Sequence, residues 1–100
     1  MRVIALRTLK SFWEQDASRQ DAMEPALAWY RHTLKADWAS PAELKRDIGT
    51  ASILKDGRAV FNIAGNKYRI VVWINYSYRV VYVRFIGTHA QYDRIDAQAI

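Results

Sequence analysis

Residues 58–87 limit what this chain can fold into more than any other stretch. Three runs rich in β-branched and aromatic residues, at about 58–63, 67–76 and 79–87, are separated only by Ala64-Gly65-Asn66 and Tyr76-Ser77-Tyr78. Connections this short force antiparallel neighbours. With Gly65-Asn66 and Ser77-Tyr78 as two-residue loops, Ile63 pairs with Tyr68, Asn62 with Arg69, Trp73 with Tyr82 and Val71 with Arg84. Side chains alternate between faces along a strand. One face then holds Phe61, Ile63, Ile70, Val72, Ile74, Val81, Val83 and Phe85, all apolar. The other holds Val60, Asn62, Arg69, Val71, Trp73, Tyr82, Arg84 and Ile86. All three strands agree on which face is core. A one-residue slip would carry Arg69 or Arg84 into that core unpaired, at high cost. The second face is therefore expected to stand open.

The apolar face needs a cover, and the first half of the chain supplies helices. RVIAL at 2–6 is a short strand candidate. From Arg7 to about Ala17, Leu9, Phe12 and Trp13 fall at helical spacing. SRQDAMEP breaks the pattern. Pro25 belongs in the first turn of a second helix, where its missing N–H costs nothing, and that helix runs to about Ala36. Ser40-Pro41-Ala42-Glu43 is a capping box with proline at the first helical position, which predicts a short helix over 41–47. Residues 49–57 read as a connection, with Asp56-Gly57 as a turn. Thr88 caps a short last helix or a single turn. The class is α+β. A short N-terminal strand and a helical hairpin precede a three-stranded antiparallel meander, with the helices on one sheet face. One hundred residues suit one domain, 1–100.

Charge points to a partner. The formal net charge is +5, and the second half carries most of it, with seven Lys/Arg against three Asp/Glu in residues 51–100. A basic surface favours a polyanion. There is no cysteine, which excludes disulfides, thiolate metal sites and cysteine nucleophiles. MRVIALRTLK lacks the long apolar region of a signal peptide. No run approaches the ~18 apolar residues of a membrane span. The expectation is a cytoplasmic protein.

The open face combines two arginines, an amide and two large aromatics. A guanidinium takes a phosphate by two parallel hydrogen bonds, and Trp or Tyr stacks on bases. These are the parts of an RNA-handling surface. They are equally the parts of an antiparallel sheet that is simply wet on one side.

Residues 60–97, through N-x-x-G-N-x-Y-R and R-F-I-G-T-H-x-x-Y-D, resemble the HigB group of bacterial type II toxins, in the wider RelE/ParE superfamily. The first sixty residues match in layout more than in motif. The resemblance implies a RelE-like fold whose open sheet face is the active site. It implies a ribosome-dependent mRNA endoribonuclease, held silent by a HigA-like helix-turn-helix antitoxin. It implies no metal, no cofactor, no small-molecule ligand and no membrane partner. Carried over by position, Arg69 engages the scissile phosphate, while His89 and Tyr92 supply acid/base groups. Arg84 would add charge stabilisation. Lys67, Asn62, Trp73, Tyr82, Lys55 and Arg58 are candidates for RNA contact. RelE-type toxins often place lysines on the strand before the Tyr-Arg strand. Here that strand has Val60 and Asn62, with Lys55 and Arg58 nearby, which leaves the general base unassigned.

Two other classes remain compatible with these residues. One is a non-enzymatic, ParE-like inhibitor of DNA gyrase. The other is an inactive RNA- or protein-binding module on the same fold. Trp13, Trp29 and Trp38 are candidate antitoxin contacts if any is exposed.

Overall fold

A computed structural model describes residues 1–100. The chain runs β1 (Arg2–Ile4), α1 (Leu6–Glu14), a 3-10 segment (Ala17–Ala22), α2 (Met23–Lys35) and α3 (Pro41–Asp47). It continues β2 (Ser52–Ile53), β3 (Arg58–Ile63), β4 (Tyr68–Asn75), β5 (Val80–Thr88) and α4 (His89–Tyr92). The strands form one mixed sheet of order β1-β5-β4-β3-β2. The meander of β3, β4 and β5 is as expected. It is widened at both edges, by β1 running parallel to β5 and by β2 antiparallel to β3. Residues 49–57 are thus more than a connection. Ser52 and Ile53 pair with Val60 and Ala59 across the Asp56-Gly57 turn, where both residues take positive φ, 56° and 81°.

The helices follow from local chemistry. Leu9, Phe12 and Trp13 form the buried stripe of α1. Pro25 sits in the first turn of α2, as its geometry requires. Ser40 caps α3 by accepting the Glu43 N–H at 3.3 Å, and Glu43 reaches back to the Ala39 N–H at 3.2 Å. No helix is long and apolar enough to cross a membrane.

One sheet face meets α1, α2 and α3 in the main core. Trp29 and Trp38 pack on Phe61, with ring centroids 5.2 and 6.2 Å away. Phe12 meets Tyr68 edge-on at 5.3 Å. Burying each such side chain contributes about 1.5–3 kcal/mol. Trp13, Trp29 and Trp38 are all buried here, so none is an exposed antitoxin contact.

Two expectations about the other face are overturned. Ile63 pairs with Tyr68, Asn62 with Arg69 and Trp73 with Tyr82, as the loops dictate. Beyond that the β5 ladder slips. Val72 faces Val83 but Val71 faces Phe85, so Arg84 is the extra residue of a β-bulge, exposed and unpaired. A bulge inverts the parity of the strand residues beyond it. Ile86 therefore joins the main core, and Phe85 turns to the opposite face. The slip places no arginine in the core, because the bulge absorbs it at the one charged residue of that strand.

The second face is also not open at its centre. Val60 and Val71 are buried beneath the C-terminal segment. Ala97 seals them, and Leu54, Phe85, Tyr92, Ile95 and Ile100 pack around. Alternation alone could not reveal this second core, since its cover comes from residues 92–100, beyond the sheet.

Candidate active site

Arg69 stands near the start of β4, on the face away from the main core, between Asn62 on β3 and Gly87 on β5. The end of β5 decides which groups sit above it. The Thr88 hydroxyl accepts the Gln91 N–H at 3.2 Å, and the Gln91 side-chain oxygen accepts the Thr88 N–H at 2.9 Å. This capping box starts α4 directly after the strand. It puts His89 and Tyr92 one turn apart, on the same side of the helix.

Both lie against Arg69. The Arg69 Nε–H donates to His89 Nε2 at 3.4 Å, a long bond, and the guanidinium carbon sits 4.6 Å from the centre of the Tyr92 ring. The ring steadies the cation by about 0.5–1 kcal/mol. Neither Nη group of Arg69 is bonded within the chain, so a guanidinium edge is presented beside an imidazole. A phosphate oxygen could bind that edge while the imidazole takes or returns a proton.

Gly87 makes this arrangement fit. A Cβ there would strike the Phe85 ring and come within 2.8 Å of the Gln91 side-chain oxygen, the atom that closes the capping box. Sequence reasoning did not place Gly87, Phe85 or Gln91 at the site. One signal was present, since Thr-x-x-Gln at 88–91 is a capping box. The pairing of Gly87 with Arg69 was hidden by the bulge, because the unslipped register sets Ile86 there instead.

The other candidates separate. Trp73 and Tyr82 lie at the far end of the same face, about 13 Å from Arg69 along the strand. Their rings pack at 5.1 Å, and the Trp73 indole N–H donates to Asp56 O at 2.9 Å. Arg58 faces Trp73, and its Nε–H donates to Ile100 O at 3.0 Å. The Lys55 backbone exchanges hydrogen bonds with the Gln98 amide, at 2.9 and 2.7 Å. Asn62 stays beside Arg69, with its side-chain oxygen buried and unpartnered. Arg84 projects from its bulge one residue before Phe85.

Lys67 turns the other way. Its ammonium pairs with Asp21 of the 3-10 segment, and the Tyr68 hydroxyl donates to the same carboxylate at 2.5 Å. Lys67 and then Tyr68 hold the Asp21 carboxyl below its usual range, Asp21 raises Lys67, and burial pushes Tyr68 up. No group of three or more His, Asp or Glu side chains could hold a metal ion.

A helical hairpin on one face of an antiparallel meander is compatible with a RelE-like fold. The family model for HigB toxins, described as the RelE-like toxic component of a toxin–antitoxin system, matches residues 22–95, and the chain belongs to that family. It is therefore the toxin of such a pair, with a cognate antitoxin as partner. No curated protein matches the sequence.

Proposed function

We propose that this toxin is a metal-independent endoribonuclease that cuts messenger RNA on the ribosome, in the cytoplasm, and is silenced by a HigA-like helix-turn-helix antitoxin. The observation that carries the reading is the Arg69–His89–Tyr92 cluster, with the Arg69 Nε 3.4 Å from the His89 imidazole and its Nη groups unbonded. In the proposed reaction a ribose 2′-hydroxyl attacks the adjacent phosphorus and loses its proton to a base. The P–O bond to the next 5′ oxygen breaks, and that oxygen takes a proton from an acid. Arg69 binds the phosphate and stabilises its growing charge. His89 serves as base or acid. Tyr92 orients Arg69 and has a hydroxyl able to donate. Arg84 adds positive charge along the path. Asn62 contacts the nucleotide beside Arg69, and Trp73 and Tyr82 contact RNA at the far end of the face. Arg58 and Lys67, whose side chains are tied into the fold, and Lys55, held by its backbone, supply positive field rather than direct chemistry.

The test is induced expression in a bacterial host, with primer extension on a translated message, for wild type, Arg69→Ala and His89→Ala. The expected result is cuts within the reading frame that vanish in Arg69→Ala and weaken strongly in His89→Ala. Growth arrest with intact messages would overturn the reading in favour of a gyrase-type target. Absence of arrest would reduce the chain to a binding module.

A further inference from the structure

The chain has a second recess, distinct from the Arg69 cluster. β1 pairs with β5 only through Val80–Tyr82, so beyond Tyr82 the outer edge of β5 has no strand beside it. α1 packs along β5 instead, and a cleft of about 450 Å³ lies between them. Thr8 and Ser11 of α1 and Gln15 just after it make one wall, and Phe85, Gln91 and Arg94 make the other. Arg19 closes one end, braced 4.6 Å over the Phe12 ring. No carboxylate is among the lining residues, though Asp16 stands 3.7 Å from the Arg19 Nε just outside.

This recess adjoins the candidate active site. The Phe85 ring and the Gln91 side chain meet over Gly87, and Gly87 is the ladder partner of Arg69. The one-turn helix α4 acts as the partition. His89 and Tyr92 lie on the Arg69 side, while Gln91 and Arg94 lie on the cleft side. A polynucleotide whose phosphate rests on Arg69 would have its neighbouring nucleotide at the mouth of the cleft.

The wall chemistry suits a nucleotide. Amide and hydroxyl groups can hydrogen-bond a base edge, an aromatic ring can stack on it, and an exposed guanidinium can take its phosphate. The volume falls in the range of small-ligand sites. Arg19 shares its charge with Asp16, but Arg94 is exposed and pairs with no carboxylate, which favours an anionic occupant over a neutral peptide strand. We infer that this cleft binds a nucleotide flanking the cleaved bond of single-stranded RNA, and so determines which sequences the toxin cuts. The substrate class rests on the ribonuclease reading; the recess and its charge do not.

Two measurements test this, one of which does not need cleavage. The first is a transcriptome-wide map of cut positions for wild type, Gln15→Ala, Gln15→Glu and Arg94→Ala, all at exposed positions and each checked for an unchanged melting curve. The expected result is that nucleotide preference at one position beside the cut relaxes at least about threefold in the variants, most in Gln15→Glu. The second is photo-cross-linking of purified protein to a short thiouridine-containing oligoribonucleotide. Adducts are expected on peptides carrying Gln15 or Phe85, with affinity weakened about tenfold by Arg94→Ala, the factor for one lost charge-assisted hydrogen bond. Cuts with unchanged preference, together with adducts elsewhere, would overturn the cleft and leave the ribonuclease reading standing. Adducts in the cleft without cuts in wild type would remove the ribonuclease reading and keep the cleft as an RNA site. Unchanged preference with lost antitoxin binding would make the recess a protein groove and overturn the inference.

Discussion

The two ends of one sheet face carry the same kinds of residue and differ in what stands beside the arginine. At one end Arg69 lies under Tyr92 and beside His89, with its Nη groups unbonded. At the other end Arg58 lies beside Trp73 and Tyr82. There the rings pack on each other, the indole N–H is held by Asp56, and the Arg58 Nε–H is held by Ile100. Between them the C-terminal segment seals Val60 and Val71. An arginine among aromatics is therefore not a site by composition. It becomes one where a group able to carry a proton stands beside it, as His89 stands beside Arg69 while Arg58 meets only the Ile100 carbonyl.

Substitutions should separate the ends sharply. Arg69→Ala is expected to lower message cutting by about 10²–10³, the usual cost of removing one donor aimed at developing charge, without lowering the melting temperature. Trp73→Ala should lower cutting only a few-fold while it destabilises the fold by about 1–3 kcal/mol, read by denaturant titration. Equal losses of cutting at the two positions would erase the contrast.

Gly87→Ala probes how the active end is held. The added Cβ must displace the Phe85 ring and the Gln91 cap, so a destabilisation of about 1–3 kcal/mol is expected, with a drop in cutting. Gly49→Ala is its control, since a Cβ there meets nothing within 4 Å. The divider between the ends is tested by Ile95→Ala, expected to cost about 1–2 kcal/mol and to speed hydrogen exchange in β3.

The smallest effect concerns Lys67, next in sequence to the active end but anchored to Asp21. The Asp21 carboxyl binds its proton more weakly in the fold than its ordinary value of 3.8, with Lys67 the main cause. Its contribution is present above that value and is lost as pH falls through and below it. Melting curves of Asp21→Asn should thus differ slightly from wild type at neutral pH and converge with it as pH falls below 3.8. A large change in cutting for Lys67→Ala, with no change in stability, would move Lys67 to the active end.

Much of this was legible beforehand because the rules involved are local. The two tight loops fixed the pairing of Asn62 with Arg69 and of Trp73 with Tyr82. The Ser40–Glu43 box fixed α3, and Thr88 marked the start of α4. The register failed at one point, Arg84, because a bulge is an extra residue that alternation cannot count. That single slip exchanged Phe85 and Ile86 between faces.

From the sequence alone came the α+β order, the apolar face of the meander, the position of Arg69 opposite it and the resemblance to a toxin family. These depend on periodicity, loop length and motif, which act over a few residues. The tertiary structure decided what covers Val60 and Val71, and how His89 comes within reach of Arg69. Those depend on contacts across the chain, where residues 92–100 return over a strand that ended some thirty positions earlier. No local pattern records such a return, because its energy lies in burial shared between segments that are strangers in sequence.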